Sequence, residues 1–140
     1  MPSSDAPWVL VDSSIWIDYY RPQGASNLKR QLQATLAQGS VATIGLIAVE
    51  VLQGAPNPEV LHHLREDFLG LHWLELNQTV WLEAAALGAQ LRRRGLSLPA
   101  TDVVIAAAAL HYRCRLWHHD ADFTRIARHT TLPLFAPATA

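Results

Sequence analysis

Four acids interrupt otherwise apolar stretches: Asp12 in VLVDSSIWID, Glu50 in IAVEVL, Asp102 in ATDVVIAAAAL and Asp120 in LWHHDADF. Burying an unpaired carboxylate is very unfavourable, so each needs a reason. One reason is local. Asp12, Asp102 and either Asp120 or Asp122 are all suited to capping a turn or helix that follows. Glu50 has no such use, and its plain alternative is a solvent-facing helix edge. The other reason is collective. Carboxylates held close together repel and raise each other's pKa values, a cost that a hard divalent cation relieves. Mg²⁺ takes oxygen ligands, keeps several waters and is usually held by one or two carboxylates plus substrate phosphates. Such an ion activates water and steadies phosphoryl charge, and two of them about 4 Å apart divide the attacking and leaving oxygens.

His118 and His119 directly precede Asp120, so a mixed His/Asp site for zinc or manganese also enters consideration. Strand alternation would send the two imidazoles to opposite faces, leaving at most one at the site. A partly buried, hydrogen-bonded strand histidine is the ordinary alternative. His62, His63, His72, His111 and His129 show no ligand spacing.

The elements that must position these acids follow from periodicity. WVLV at 8–11 reads as a central strand, with a helix beginning in SSIWIDYY, capped by Ser13 or Ser14 and ended near Pro22. Leu28, Leu32, Leu36 and Ala37 give residues 26–38 a helical stripe, and Gly39 stops it. SVATI at 40–44 is a second strand, residues 45–53 a helix containing Glu50, and Asn57-Pro58 starts a helix to about 68. LHWLEL at 71–76 is a third strand candidate. Val80, Ala84, Leu87 and Leu91 mark a helix over 79–94 closed by Gly95. A helix starting near 101–102 carries VVIAAAAL, apolar all round as in a buried helix. RLWHH at 115–119 is a fourth strand, 120–129 a short helix and LPLF at 132–135 a fifth, edge strand. Short apolar strands alternating with helices argue for a three-layer α/β/α domain with a largely parallel sheet. In such a sheet ligands sit outside the carboxyl ends of the strands, where Asp12 and Asp120 fall.

The chain has 140 residues and one cysteine, Cys114, which excludes an intrachain disulfide and a cysteine-based zinc site. That usage fits a reducing compartment, so a cytoplasmic location is expected. MPSSDAPW does not read as a signal peptide, and AAALGAQL and VVIAAAAL are too short to span a bilayer. Only the first few residues and the terminal APATA read as loose ends. Formal net charge is −1, but residues 88–140 hold seven Arg against three Asp. A nucleic-acid partner is therefore compatible through a local patch, although composition alone equally describes a solvated face. Arg92, Arg93 and Arg94 are the first candidates to contact a phosphate backbone, followed by Arg113 and Arg115. The run at 92–94 also suits a helix C-terminus, where cations oppose the dipole. Trp16, Trp73, Trp81 and Trp117 fit core or interface positions, whereas Trp8 suits the surface. Trp16, the stripe on 79–91 and the 26–38 helix suggest more apolar surface than one core uses, hence a homodimer seam.

VLVDSSIWIDYYR, IGLIAVEVLQG, TDVVIAAAAL and HHDADF, in that order, resemble the successive motifs of PIN domains, most nearly those of VapC-type toxins from type II toxin–antitoxin pairs. The resemblance spans about residues 8–135 and implies one PIN-like domain over 1–140. It implies a metal-dependent endoribonuclease using Mg²⁺ or Mn²⁺ and leaving 5′-phosphate and 3′-hydroxyl ends on tRNA or rRNA. It also implies a homodimer and a cognate antitoxin laid over the acidic groove. The family's acids carry over to Asp12, Glu50, Asp102 and Asp120, with Asp122 sharing or taking the fourth role. We expect Asp12, Asp102 and Asp120 to supply most metal oxygens, Glu50 to act through water or as a base, and Asp122 to support the rim. Ser13 stands where the family commonly has Thr, and Ser13 or Ser14 would orient water. One departure is LWHHD, where the family usually runs Leu-x-Thr-x-Asp. His118 takes the Thr place, and a donor role near the acids is expected of it.

Two other classes compete with this reading. A Mg²⁺-dependent phosphatase would need a second acid two residues after its nucleophile, and Ser14 occupies that position after Asp12. A degenerate module that binds RNA or an antitoxin without turnover would tolerate loss of acids, yet all four are present.

Overall fold

The computed structural model describes residues 8–137; residues 1–7 and 138–140, which include most of the expected loose ends, lie outside that range. Strand β1 (Val9–Val11) is buried along its whole length, as an apolar run without alternation requires. Helix α1 (Ser13–Tyr20) follows at once, and its N-cap is Asp12 rather than either serine. A carboxylate at that position takes the Ser14 N–H, which the first helical turn leaves unpaired. Helix α2 (Ser26–Ala37) buries Leu28, Leu32 and Thr35, and Gly39 at φ 70° turns the chain into β2 (Val41–Thr43). Helix α3 (Gly45–Leu52) carries Glu50. Asn57 caps α4 (Pro58–Leu69) as its sequence suggests, accepting from Val60 N–H at 2.9 Å.

After the short β3 (His72–Trp73), Asn77 caps α5 (Gln78–Arg93), whose Val80, Ala84, Leu87 and Leu91 are all buried. Gly95 at φ 82° begins the turn back into α6 (Ala100–Tyr112), which buries Val103, Ile105 and Ala106 through Ala109. Small side chains let α6 approach its neighbours closely on several sides. Strand β4 (Arg115–Trp117) and α7 (Ala121–His129) complete the elements.

The four strands lie in the order β3-β2-β1-β4, and every pairing is parallel. Val9 faces Val41 on one side and Arg115 on the other, and Val11 faces Trp117. Each connection passes through helices, which gives the three-layer α/β/α arrangement with a short parallel sheet. No helix among the described residues is long and apolar enough to cross a membrane.

Three expectations change. LPLF is not a full strand but a single parallel bridge, Leu116 to Leu134, with Leu116 N–H on Pro133 and Phe135 N–H on Leu116. Pro133 has no N–H to extend that ladder. The strand expected at 71–76 keeps two residues, because only one side of this edge strand has a partner. β4 stops at Trp117 instead of 119, so His118 and His119 lie in the loop before α7.

The expected seam also differs. Trp16 and Trp117 are core residues, and the α5 stripe faces inward. The large apolar side chains left exposed include Val49, Leu61, Trp73, Trp81 and Leu82. Val49, Leu61 and Trp73 line one apolar groove with Leu52.

Close packing around α6 yields a stability prediction. Ala108→Leu should destabilise the fold by about 1–3 kcal/mol through overpacking. The same change at exposed Ala86 should stay within about 0.5 kcal/mol. Urea unfolding of both variants measures the difference.

Candidate active site

Strand order reverses between β1 and β4, the switch point at which open parallel sheets bind ligands. There the Asp12 N–H donates to the Trp117 carbonyl at 2.9 Å, drawing both strand ends together. Asp12 is only 4% exposed. Its Oδ2 accepts from Ser14 N–H at 3.2 Å and from the Ser14 hydroxyl at 2.6 Å. Among the described residues, Oδ1 has no protein donor. Capping a helix and facing the site are thus compatible tasks for this carboxylate.

Asp120 repeats the arrangement on α7. Its Oδ1 accepts from Asp122 N–H at 2.9 Å, which caps the helix and leaves Oδ2 uncommitted. Asp102 differs, because Pro99 is the N-cap of α6 and Asp102 sits in the first turn. That position aims its carboxylate at the end of the helix favourable to negative charge. Asp122 lies in the first turn of α7, with Oδ1 3.3 Å from Arg125 Nη1.

Oxygens of Asp102, Asp120 and Asp122 lie within 4.8 Å of one another. The consequence is visible at Asp102, whose pKa rises from 3.8 to about 7. Burial is the largest cause, followed by the charge of Asp120, a hydrogen bond with Asp122 and the charges of Asp12 and Asp122. Glu50 stands on the Asp12 side of this group. Burial and the Asp12 charge raise its pKa, against a hydrogen bond from the Ser13 side chain. Its Oε1 is buried with no hydrogen-bond partner. An all-oxygen donor set with a buried, unpartnered carboxylate oxygen fits a hard divalent cation. It does not suit the softer His/Cys sites.

The serines have separate partners. Ser13 serves Glu50, whereas Ser14 holds Asp12 and also accepts the His119 N–H at 3.2 Å. His118 meets the Asp120 backbone through Nδ1, which accepts the Asp120 N–H at 3.0 Å. Burial lowers the His118 pKa, opposed by the charges of Asp12 and Asp120 and by a hydrogen bond at the Asp120 backbone. His119 turns outward, with Nε2 3.4 Å from Asp18. Asp18 and Arg125 escaped the sequence reading. Their only signal was placement on α1 and α7, one or two turns from an acid already of interest.

The arginines divide into two groups. Arg92, Arg93 and Arg94 end α5, and a short turn joins them to the start of α6, so they share the end that carries Asp102. Arg94 Nη1 reaches the His129 carbonyl at 3.4 Å. Arg113 caps the far end of α6 in a left-handed conformation (φ 58°), about 16 Å along the helix from Asp102. Arg115 opens β4 at the opposite edge of the sheet, with its guanidinium over the Phe135 ring.

Comparison with known proteins agrees with this architecture. A PIN domain model matches residues 9–129. Ribonuclease VapC11 from Mycobacterium tuberculosis is 34% identical over 129 residues, covering 89% of this chain and 95% of that protein. Two solved structures share the fold. VapBC2 from Rickettsia felis, bound to a DNA fragment from its promoter, matches with a TM-score of 0.74 at 18% identity, over 91% of this chain and 96% of that one. A toxin–antitoxin complex from Klebsiella pneumoniae matches with a TM-score of 0.68 at 23% identity, over 82% of this chain and 89% of that one. On the family match and the VapC11 identity together, this chain belongs to the PIN-domain family and is homologous to VapC ribonucleases.

Proposed function

We propose that this protein is a metal-dependent endoribonuclease, the toxin of a toxin–antitoxin pair, acting on tRNA or rRNA in the cytoplasm through one PIN domain. The carrying observation is the cluster of Asp102, Asp120 and Asp122 at the sheet switch point, electrostatically joined to Asp12 and Glu50.

Asp102, Asp120, Asp122 and Asp12 would hold Mg²⁺ or Mn²⁺, with Glu50 beside them. When bound, such an ion supplies a Lewis acid that activates water and offsets phosphoryl charge. The protein contributes preorganisation. Ser14 fixes Asp12 through Oδ2, and the α7 cap fixes Asp120 through Oδ1, so each directs its other oxygen to the site. Glu50, its proton affinity raised by burial and by the Asp12 charge, acts through a water or as the base that takes a proton from the attacking water. Hydrolysis then leaves 5′-phosphate and 3′-hydroxyl ends. Arg92, Arg93 and Arg94 hold the RNA backbone beside the acids; Arg113 and Arg115 could reach only a longer segment of the same strand. Exposed Val49, Leu61, Trp73 and Trp81 supply apolar surface for protein partners, namely a second copy of the chain and a cognate antitoxin.

Three outcomes test this reading. Asp12→Asn and Asp102→Asn should each reduce Mg²⁺-dependent cleavage of a labelled RNA pool to background; cleavage equal to wild type would sink the proposal.

The second concerns pH. Asp102 binds its proton more tightly in the fold, near 7, than in the unfolded chain, near 3.8. Its contribution to metal-free stability is therefore full below about pH 3.8 and lost as pH rises through about 7. Thermal melts of the metal-free chain should show that loss, Asp102→Asn should flatten it, and Mg²⁺ or Mn²⁺ should restore stability most at the higher pH.

The third concerns charge. Arg93→Ala should reduce the slope of log RNA affinity against log salt by about 1. An unchanged slope would remove Arg93 from the interface.

A further inference from the structure

We propose that His118 is a positioning residue of the acid cluster, acting as an acceptor at Nδ1 that fixes the backbone of Asp120. This role rests on the reading that the cluster holds a divalent cation, and it deepens that reading.

A backbone N–H can only donate. Because the Asp120 N–H points at Nδ1 at 3.0 Å, that nitrogen must carry a lone pair. The neutral ring therefore keeps its proton on Nε2. The ring also lies against Phe123, with centroids 5.2 Å apart, and Phe123 itself is fully buried. The imidazole thus meets both a core side chain and the turn that presents Asp120.

That turn needs outside support. Asp120 is the N-cap of α7, so its N–H takes no part in the helical ladder. Among the described residues, His118 is its acceptor. The neighbouring His119 N–H goes to Ser14, whose hydroxyl in turn donates to Asp12 at 2.6 Å. Beyond Asp120, the Asp122 N–H returns to Asp120 Oδ1 at 2.9 Å. Three amides of one short turn are thus tied by side chains, and those ties run between Asp12, just past β1, and Asp122 on α7. His118 holds the central amide. Loss of its ring would free the Asp120 backbone and, with it, the direction of the Asp120 carboxylate. Partners that orient a ligand in this way typically matter 10–100-fold to metal affinity.

The two ring nitrogens are separable by substitution. Asparagine places its carbonyl oxygen on Cγ, as histidine places Nδ1, so His118→Asn preserves the acceptor. Glutamine places its amide one bond further out, near the position of Nε2. Alanine offers neither. The test measures Mn²⁺ affinity of the metal-free full chain and these three variants. It also records the imidazole ¹⁵N spectrum of the unaltered protein at a pH where His118 is neutral.

We expect Nδ1 unprotonated and Nε2 protonated in the spectrum. Mn²⁺ affinity should fall about 10–100-fold in His118→Ala and His118→Gln. His118→Asn should retain most of it, with the amide of Asp120 still protected from hydrogen exchange. A protonated Nδ1, rescue by glutamine but not asparagine, or unchanged affinity in His118→Ala overturns the role. If the unaltered chain binds no Mn²⁺, the cation reading itself falls and takes this role with it. That result is distinct from wild-type binding with an indifferent His118.

Discussion

Like charges must be held together here against their own repulsion. Asp102 shows the cost most directly: burial first, and then the charges of Asp120, Asp12 and Asp122 with a hydrogen bond to Asp122, push its pKa up to about 7. No single element could enforce such a cluster. Its members come from the end of β1, the first turn of α6 and the first turn of α7. The fold overcomes the repulsion with a fully buried central strand and a tightly packed α6.

Helix starts do much of the holding. Asp12 and Asp120 are N-caps, and Asp102 and Asp122 occupy first turns. These positions offer unpaired N–H donors and the favourable end of the helix dipole to a negative charge. Capping and ligand presentation can coexist because a carboxylate has two oxygens. One oxygen of Asp12 and one of Asp120 meets a local donor, and the other is left for the site. The local explanation of these acids and the collective one are therefore compatible.

The β4–α7 turn joins the two halves of the cluster. Its amides end on Ser14, His118 and Asp120 in succession, so a change at any of these is transmitted to the others. A hydroxyl in place of His118 would leave unfilled the space against Phe123 that the imidazole occupies. Histidine is accommodated because it packs as an apolar ring while accepting one backbone hydrogen bond.

The sequence alone was enough to read a parallel α/β/α domain, because apolar runs of strand length and a helix apolar all round leave few other ways to bury themselves. It also singled out the acids, since carboxylates within apolar segments demand an explanation, and the order of the PIN-like motifs offered one. Asp122 and His118 were legible as neighbours of the site but not in their parts. Asp122 depends on how α7 swings toward α6, and the His118 nitrogen that accepts depends on where β4 stops, two residues early. Trp16 and Trp73 are equally apolar in sequence, yet one is sealed against Phe68 and the other lies on an edge strand. Local chemistry decides which side chains a chain offers. Only tertiary packing decides distance and direction, because both are set by contacts between segments far apart in the chain.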